Sequence, residues 1–130
     1  SRVDRPFIDE MAGPLGSSVV RLDGRTALKV LAAVYRSATV VVSTDTGPMH
    51  LAAAVGRPVV ALFGPTAPWR TGPYGEGHVV LRAGVSCSPC FSKSCNTKEF
   101  EPMACMNRIT AEQVVEAVAR LSAEKTSGAG

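Results

Sequence analysis

The chain has 130 residues, 45% of them hydrophobic, and a formal net charge of +3. That length suits one domain with a packed core, and no apolar run is long enough to span a bilayer. The basic residues Arg2, Arg5, Arg21, Arg25, Arg36, Arg57, Arg70 and Arg82 are dispersed, and few aromatics are available for base stacking; nucleic acid is not an expected partner, whereas a small anionic ligand or a membrane surface suits the mild excess of positive charge.

In chain order the pattern alternates helix and strand. Asp4 can cap a helix whose first turn holds Pro6, with Phe7, Ile8 and Met11 on its apolar face and Gly13-Pro14 ending it. Ser18 to Leu22 reads as a short strand and Asp23-Gly24 as a turn. A second helix starts at Thr26, with Leu28, Leu31, Val34 and Tyr35 on one stripe. Thr39 to Ser43 is nearly continuous in β-branched residues, the pattern of a strand buried on both faces. Pro58 to Phe63 is another such strand, stopped by Gly64-Pro65.

The Gly- and Pro-rich stretch from Thr66 to Gly77 is expected to be loop, and His78 to Arg82 a strand. A cysteine-bearing loop runs from Ala83 to Arg108. The last helix has a start signature: Thr110 is the N-cap, Gln113 completes a capping box, and Ile109 and Val114 can form the hydrophobic staple. Val114, Val115, Val118 and Leu121 give it a core face, and Thr126 to Gly130 should fray. One domain over residues 1–123, followed by a flexible tail over 124–130, is the expected organisation.

Strands separated by helices imply an α/β fold, a Rossmann-like parallel sheet with helices on both faces. Ligands of such sheets sit beyond the carboxyl ends of the strands. The turn from Ser43 to His50 and the loop from Phe63 to Arg70 both leave carboxyl ends of adjacent predicted strands, so they should border one cleft. GxGxxG, Walker A and GxSxG motifs are all missing from the sequence, which disfavours a dehydrogenase, a P-loop ATPase and a serine hydrolase.

The most informative run is Val40-Val41-Val42-Ser43-Thr44-Asp45-Thr46-Gly47-Pro48-Met49-His50. An apolar strand ends in a polar turn, and the turn opens a short helix from Met49 to Val55 that Gly56 closes. The first N–H groups of a helix lack internal partners and sit at the positive end of its dipole. Gly47 lets a phosphate approach the backbone, and Pro48 suits a first-turn position that needs no N–H. Asp45, Thr46 and His50 would converge on a phosphorylated ligand such as a nucleotide. A plain strand–turn–helix junction with Asp45 as its cap has the same residues. Trp69 in the Pro/Gly loop is either a wall of the ligand site or a packing anchor.

Cys87, Cys90, Cys95 and Cys105 all fall in one loop. A C-x2-C pair followed by two further cysteines can supply thiolates to zinc or an iron–sulfur cluster. The spacing matches no standard finger, and free, disulfide-paired or redox cysteines are the alternatives. Lying far from Asp45 in sequence, the loop is assigned to stability.

The combination Ser43-Thr44-Asp45-Thr46-Gly47-Pro48-Met49-His50, continuing through Gly56-Arg57-Pro58 to Phe63-Gly64-Pro65-Thr66, closely resembles glycosyltransferase family 9, the ADP-heptose:lipopolysaccharide heptosyltransferases. Leu22-Asp23-Gly24-Arg25-Thr26, the pattern Cys87-Ser88-Pro89-Cys90-Phe91 with Cys95 and Cys105-Met106, and Ile109-Thr110-Ala111-Glu112-Gln113 extend the resemblance over nearly the whole chain. The resemblance implies the carboxyl-terminal, donor-binding domain of a two-domain GT-B enzyme. The amino-terminal domain, with the acceptor site and catalytic base, and the first strands of this domain are expected to lie upstream. No catalytic residue is therefore expected here, and the chain alone should be inactive.

What the resemblance implies for single residues is specific. Thr46 and Gly47 offer backbone N–H groups to the diphosphate of ADP-heptose, and His50 lies near the same group. Asp45 belongs to the donor sugar, because a carboxylate beside a diphosphate is repulsive unless it accepts sugar hydroxyls. Asp4 is the counterpart of an acidic residue holding ribose hydroxyls, or a plain helix cap. The acceptor would be the lipopolysaccharide core, the enzyme cytoplasmic or peripheral at the inner face of the inner membrane, and no cofactor required for catalysis. A non-catalytic metal-stabilised binding module and a GT-B enzyme using another sugar nucleotide are the competing readings. Oligomeric state is left open.

Overall fold

A computed structural model describes the backbone of residues 4–128 and the side chains of residues 4–124. The chain divides into two compact units, one ending at Ala33 and the other starting at Val34. The dividing line falls inside a helix, α2, which spans Leu28–Ser37.

In the first unit, α1 covers Arg5–Ala12, with Asp4 at the N-cap position and a proline in its first turn. Asp4 does not cap through its side chain. A 3-10 stretch over Gly13–Ser18 follows, broken at Gly16, whose φ of 53° is a left-handed conformation that glycine tolerates. The expected strand at 18–22 is not formed: the chain is irregular from Val19 to Leu22, and Val20 is exposed. A strand persists only where a neighbour takes its backbone hydrogen bonds, and none of the three described strands pairs with this segment. The Asp23-Gly24 turn is present, closed by the Arg25 N–H donating to the Leu22 carbonyl at 3.0 Å. Arg21 binds Asp23 through Nε and Nη2 at 3.1 and 2.9 Å and reaches Asp9 at 2.6 Å. Its guanidinium holds the Asp23 carboxyl below the usual range.

The second unit carries the sheet. Strands β1 (Val41–Thr44), β2 (Val59–Phe63) and β3 (Val79–Arg82) lie in the order β1-β2-β3, all parallel. Val41 pairs with Val59, and Val60 with Val79. The central strand alternates between two cores. Val59, Ala61 and Phe63 pack with Val41, Met49 and Ala52 beneath helix α3 (Gly47–Ala54), while Val60 packs with Ala117 and Leu121 of helix α6 (Ala111–Gly128). Helices thus cover both faces of β2, as a parallel sheet requires. β1 differs from the expectation of two-sided burial: Val41 is buried but Val42 is exposed. Among the described strands it lies at the edge, and the apolar run alone does not say which face a helix covers.

Two one-turn helices interrupt segments expected to be loop: α4 (Pro68–Thr71) and α5 (Ala104–Asn107). The start of α6 follows its sequence signature. The Thr110 N–H donates to Gln113 Oε1 at 2.8 Å, and the Gln113 N–H to Thr110 Oγ1 at 3.2 Å. Ala117 and Leu121 form its buried stripe, whereas Val115, expected on that face, is exposed. The helix continues to Gly128, past the expected boundary at 123; Ala129 and Gly130 lie outside the described residues.

Candidate functional site

β1 ends at Thr44 and α3 begins at Gly47, so Asp45 and Thr46 make the whole connection. Thr46 is the N-cap, with an extended φ of −145°, and Pro48 stands in the first turn. Its hydroxyl turns back towards the strand, 3.3 Å from Ser43 Oγ and 3.4 Å from the Thr44 carbonyl, rather than capping α3. The Met49 N–H donates to the Thr46 carbonyl at 3.1 Å. Among the described residues no loop or cap hydrogen bond takes the backbone amides of Thr46 and Gly47. Thr46, Gly47, Pro48 and His50 are exposed, while Met49 beneath them is buried. The turn is therefore an open row of amide donors at the positive end of a helix, seated on a packed base.

Asp45 does not cap the helix. Its Oδ2 accepts the Thr71 hydroxyl at 2.9 Å. Thr71 ends α4, so this bond joins the loop leaving β1 to the loop leaving β2. The two loops thus border one place at the carboxyl end of the sheet, where parallel α/β sheets hold ligands. Asp45 and Thr46 form this turn, and Gly47 and His50 lie in the first turn of α3 that follows it. Asp4 belongs to the first unit and is described there by itself.

Sequence reasoning passed over Thr71. Its signal was the Pro68 and Gly72 that frame a single helical turn, which also carries Trp69 and Arg70. Trp69 is 69% exposed, with the Arg82 guanidinium 5.2 Å from its ring centroid, and Arg70 stands 5.2 Å over Phe91. Trp69 is thus no buried anchor.

The cysteine loop reaches the same end of the sheet despite its distance in sequence. Ser88 Oγ donates to the Gly64 carbonyl at 2.5 Å, the Phe91 N–H to the Pro65 carbonyl at 2.7 Å, and Arg82 Nη2 to the Ser88 carbonyl at 3.3 Å. Gly64 leaves room where α5 closes on β2: a Cβ there would lie 2.6 Å from Met106 Sδ and 3.0 Å from Cys105 Sγ, so the Met106 side chain would have to shift. Cys87, Cys90, Cys95 and Cys105 all line one cavity of about 370 Å³ beside Pro65. They are free thiols. Among the described residues no group of three or more His, Cys, Asp or Glu side chains is arranged to hold a metal ion. No described helix is long and apolar enough to cross a membrane.

Comparison with known proteins identifies this architecture. The profile of glycosyltransferase family 9 (heptosyltransferase) matches residues 5–101. Lipopolysaccharide heptosyltransferase 1 of Pseudomonas aeruginosa is 43% identical over 77 residues, covering 59% of this chain and 22% of that protein. Lipooligosaccharide heptosyltransferase 2 of Campylobacter jejuni is 30% identical over 105 residues, covering 80% of this chain and 32% of the relative. Lipopolysaccharide heptosyltransferase 1 of Escherichia coli K12 is 41% identical over 80 residues, 60% of this chain and 25% of its own length. The aligned parts thus span between about a fifth and a third of these relatives. No solved structure matches significantly. With the profile covering three quarters of its length, the chain belongs to glycosyltransferase family 9.

Proposed function

We propose that this chain supplies the nucleotide-sugar site of an inverting GT-B heptosyltransferase, which transfers heptose from ADP-heptose to the lipopolysaccharide inner core at the cytoplasmic face of the inner membrane. One observation carries the reading: among the described residues no loop or cap hydrogen bond takes the amides of Thr46 and Gly47, two exposed residues at the start of α3 that follow the Asp45 carboxylate. Glycosyl transfer expels a nucleoside diphosphate, so negative charge grows on the leaving phosphate oxygens. Fixed N–H donors at a helix start stabilise that charge as it develops, without reorganisation. Thr46 and Gly47 would donate to the diphosphate, and His50, one turn into α3, would flank it. The Asp45 carboxylate would repel phosphate, so its role is to accept sugar hydroxyls. The catalytic base and the acceptor site belong to a facing domain.

Titration of the 15N-labelled chain with ADP, UDP and GDP tests this. ADP is expected to shift the amides of Asp45, Thr46 and Gly47 in a saturable way. Silence of those amides to all three nucleotides defeats the donor-site reading, and a preference for UDP or GDP redirects it to another sugar nucleotide.

A further inference from the structure

We propose that Thr71 is a positioning residue that aims the Asp45 carboxylate at the donor sugar; this rests on the donor-site reading above. Thr71 and Asp45 are 26 residues apart and leave different strands, yet their side chains meet at 2.9 Å. The Thr71 hydroxyl has one proton and two acceptors in reach, Asp45 Oδ2 and the Ala67 carbonyl at 3.3 Å. The shorter contact goes to the charged oxygen, where a hydrogen bond is stronger. With Oδ2 held, the carboxylate keeps a single orientation and turns Oδ1 to an incoming hydroxyl.

The donor is itself held. The Thr71 N–H donates to the Ala67 carbonyl at 3.1 Å, and the Gly72 N–H to the Pro68 carbonyl at 2.8 Å. Gly72 permits this closure, because a Cβ there would collide with the Pro68 carbonyl oxygen. The one-turn helix α4 is thus a fixed bracket. Asp45, on a two-residue connection between β1 and α3, has this bracket as its one side-chain partner among the described residues. A pre-oriented acceptor loses less rotamer freedom when the sugar binds, and that difference falls on the sugar and not on the diphosphate.

The test compares wild type, Thr71→Val, Thr71→Ser and Asp45→Ala by amide-shift titration with ADP and with ADP-heptose. Thr71→Val keeps the shape and removes the proton. It is expected to weaken ADP-heptose roughly three- to tenfold, the range of one lost hydrogen bond, while ADP affinity stays unchanged. Thr71→Ser should restore binding, and Thr71→Val added to Asp45→Ala should cost nothing further. Equal weakening of both ligands by Thr71→Val, or of neither, overturns the positioning role while the donor site stands. Collapse of amide dispersion in Thr71→Val overturns it too, since the hydroxyl would then serve the fold. Failure of wild type to bind either ligand removes the donor-site reading itself.

Discussion

His78 closes the amino-terminal edge of the sheet by standing in for a missing carbonyl. Its Nδ1 accepts the Val59 N–H at 3.1 Å, and Nε2 faces the Tyr74 carbonyl at 3.0 Å, which fixes the Nε2–H tautomer. Val59 is fully buried and opens the central strand, while the β2–β3 ladder begins only at Val60 and Val79. His78→Ala therefore leaves a buried amide without an acceptor. The expected loss is about 1–3 kcal/mol, read as a lower midpoint in urea unfolding. Faster hydrogen exchange at the Val59 amide should accompany it. An unchanged midpoint would mean that water replaces the imidazole.

Gly47 separates stability from binding. A Cβ built there meets nothing within 4 Å, and its backbone does not need a positive φ. Gly47→Ala should leave the unfolding midpoint unchanged or raise it by up to about 1 kcal/mol, since alanine restricts the unfolded chain. The added methyl stands where a phosphate would approach the amides, so ADP affinity should fall at least several-fold. Calorimetric titration beside thermal unfolding checks both halves. Unimpaired ADP binding by Gly47→Ala would show that the nucleotide does not contact this turn.

The parts of this molecule that were legible in the sequence are those encoded locally. Val59 to Phe63 reads as a buried strand because every residue is apolar, and the Thr110–Gln113 box announces α6 through the two bonds that form. The Asp45–His50 turn was visible for the same reason: strand, glycine, proline and helix follow one another within eleven residues. What was missed depends on distant partners. Ser18 to Leu22 has strand composition but pairs with none of the described strands. The turns α4 and α5 are too short to show a helical period. No local pattern links Thr71 to Asp45, or brings Ser88 onto the Gly64 carbonyl. Distance along the chain was therefore a poor guide to the place of the cysteine loop.

Glu101 and Arg108 bracket α5 with a two-pronged ion pair, Nε to Oε1 at 2.6 Å and Nη2 to Oε2 at 2.7 Å. The hydrogen bonds from Arg108, helped by Glu101's own backbone amide, hold the Glu101 carboxyl down at about 2, against an ordinary 4.5. A carboxyl whose folded pKa is depressed contributes stability that is fully present above the ordinary value. That contribution is lost as the pH falls through about 2. Both side chains are half exposed, so salt should screen the effect. Glu101→Gln is expected to flatten the acid limb of the stability profile between those two values. Carboxyl-detected NMR titration gives the direct reading, and an ordinary Glu titration would refute the pairing in solution.

The four thiols should not react alike. Cys95 is exposed, and its sulfur accepts the Met103 N–H at 3.3 Å and a second N–H from Thr97. Those donors favour the thiolate and bring its pKa down. Cys105 is pushed the other way, first by burial and then by the neighbouring Cys87, Cys90 and Cys95. The thiolate is the nucleophile, so iodoacetamide near neutral pH should modify Cys95 well before Cys105. Cys95 should also keep its reactivity to lower pH. Peptide mass spectrometry over a time course resolves the order. Modification of Cys105 ahead of Cys95 would contradict the arrangement. Uniform protection of all four, relieved by a chelator and matched by about one metal per chain, would instead mean that the loop closes on a bound ion in solution.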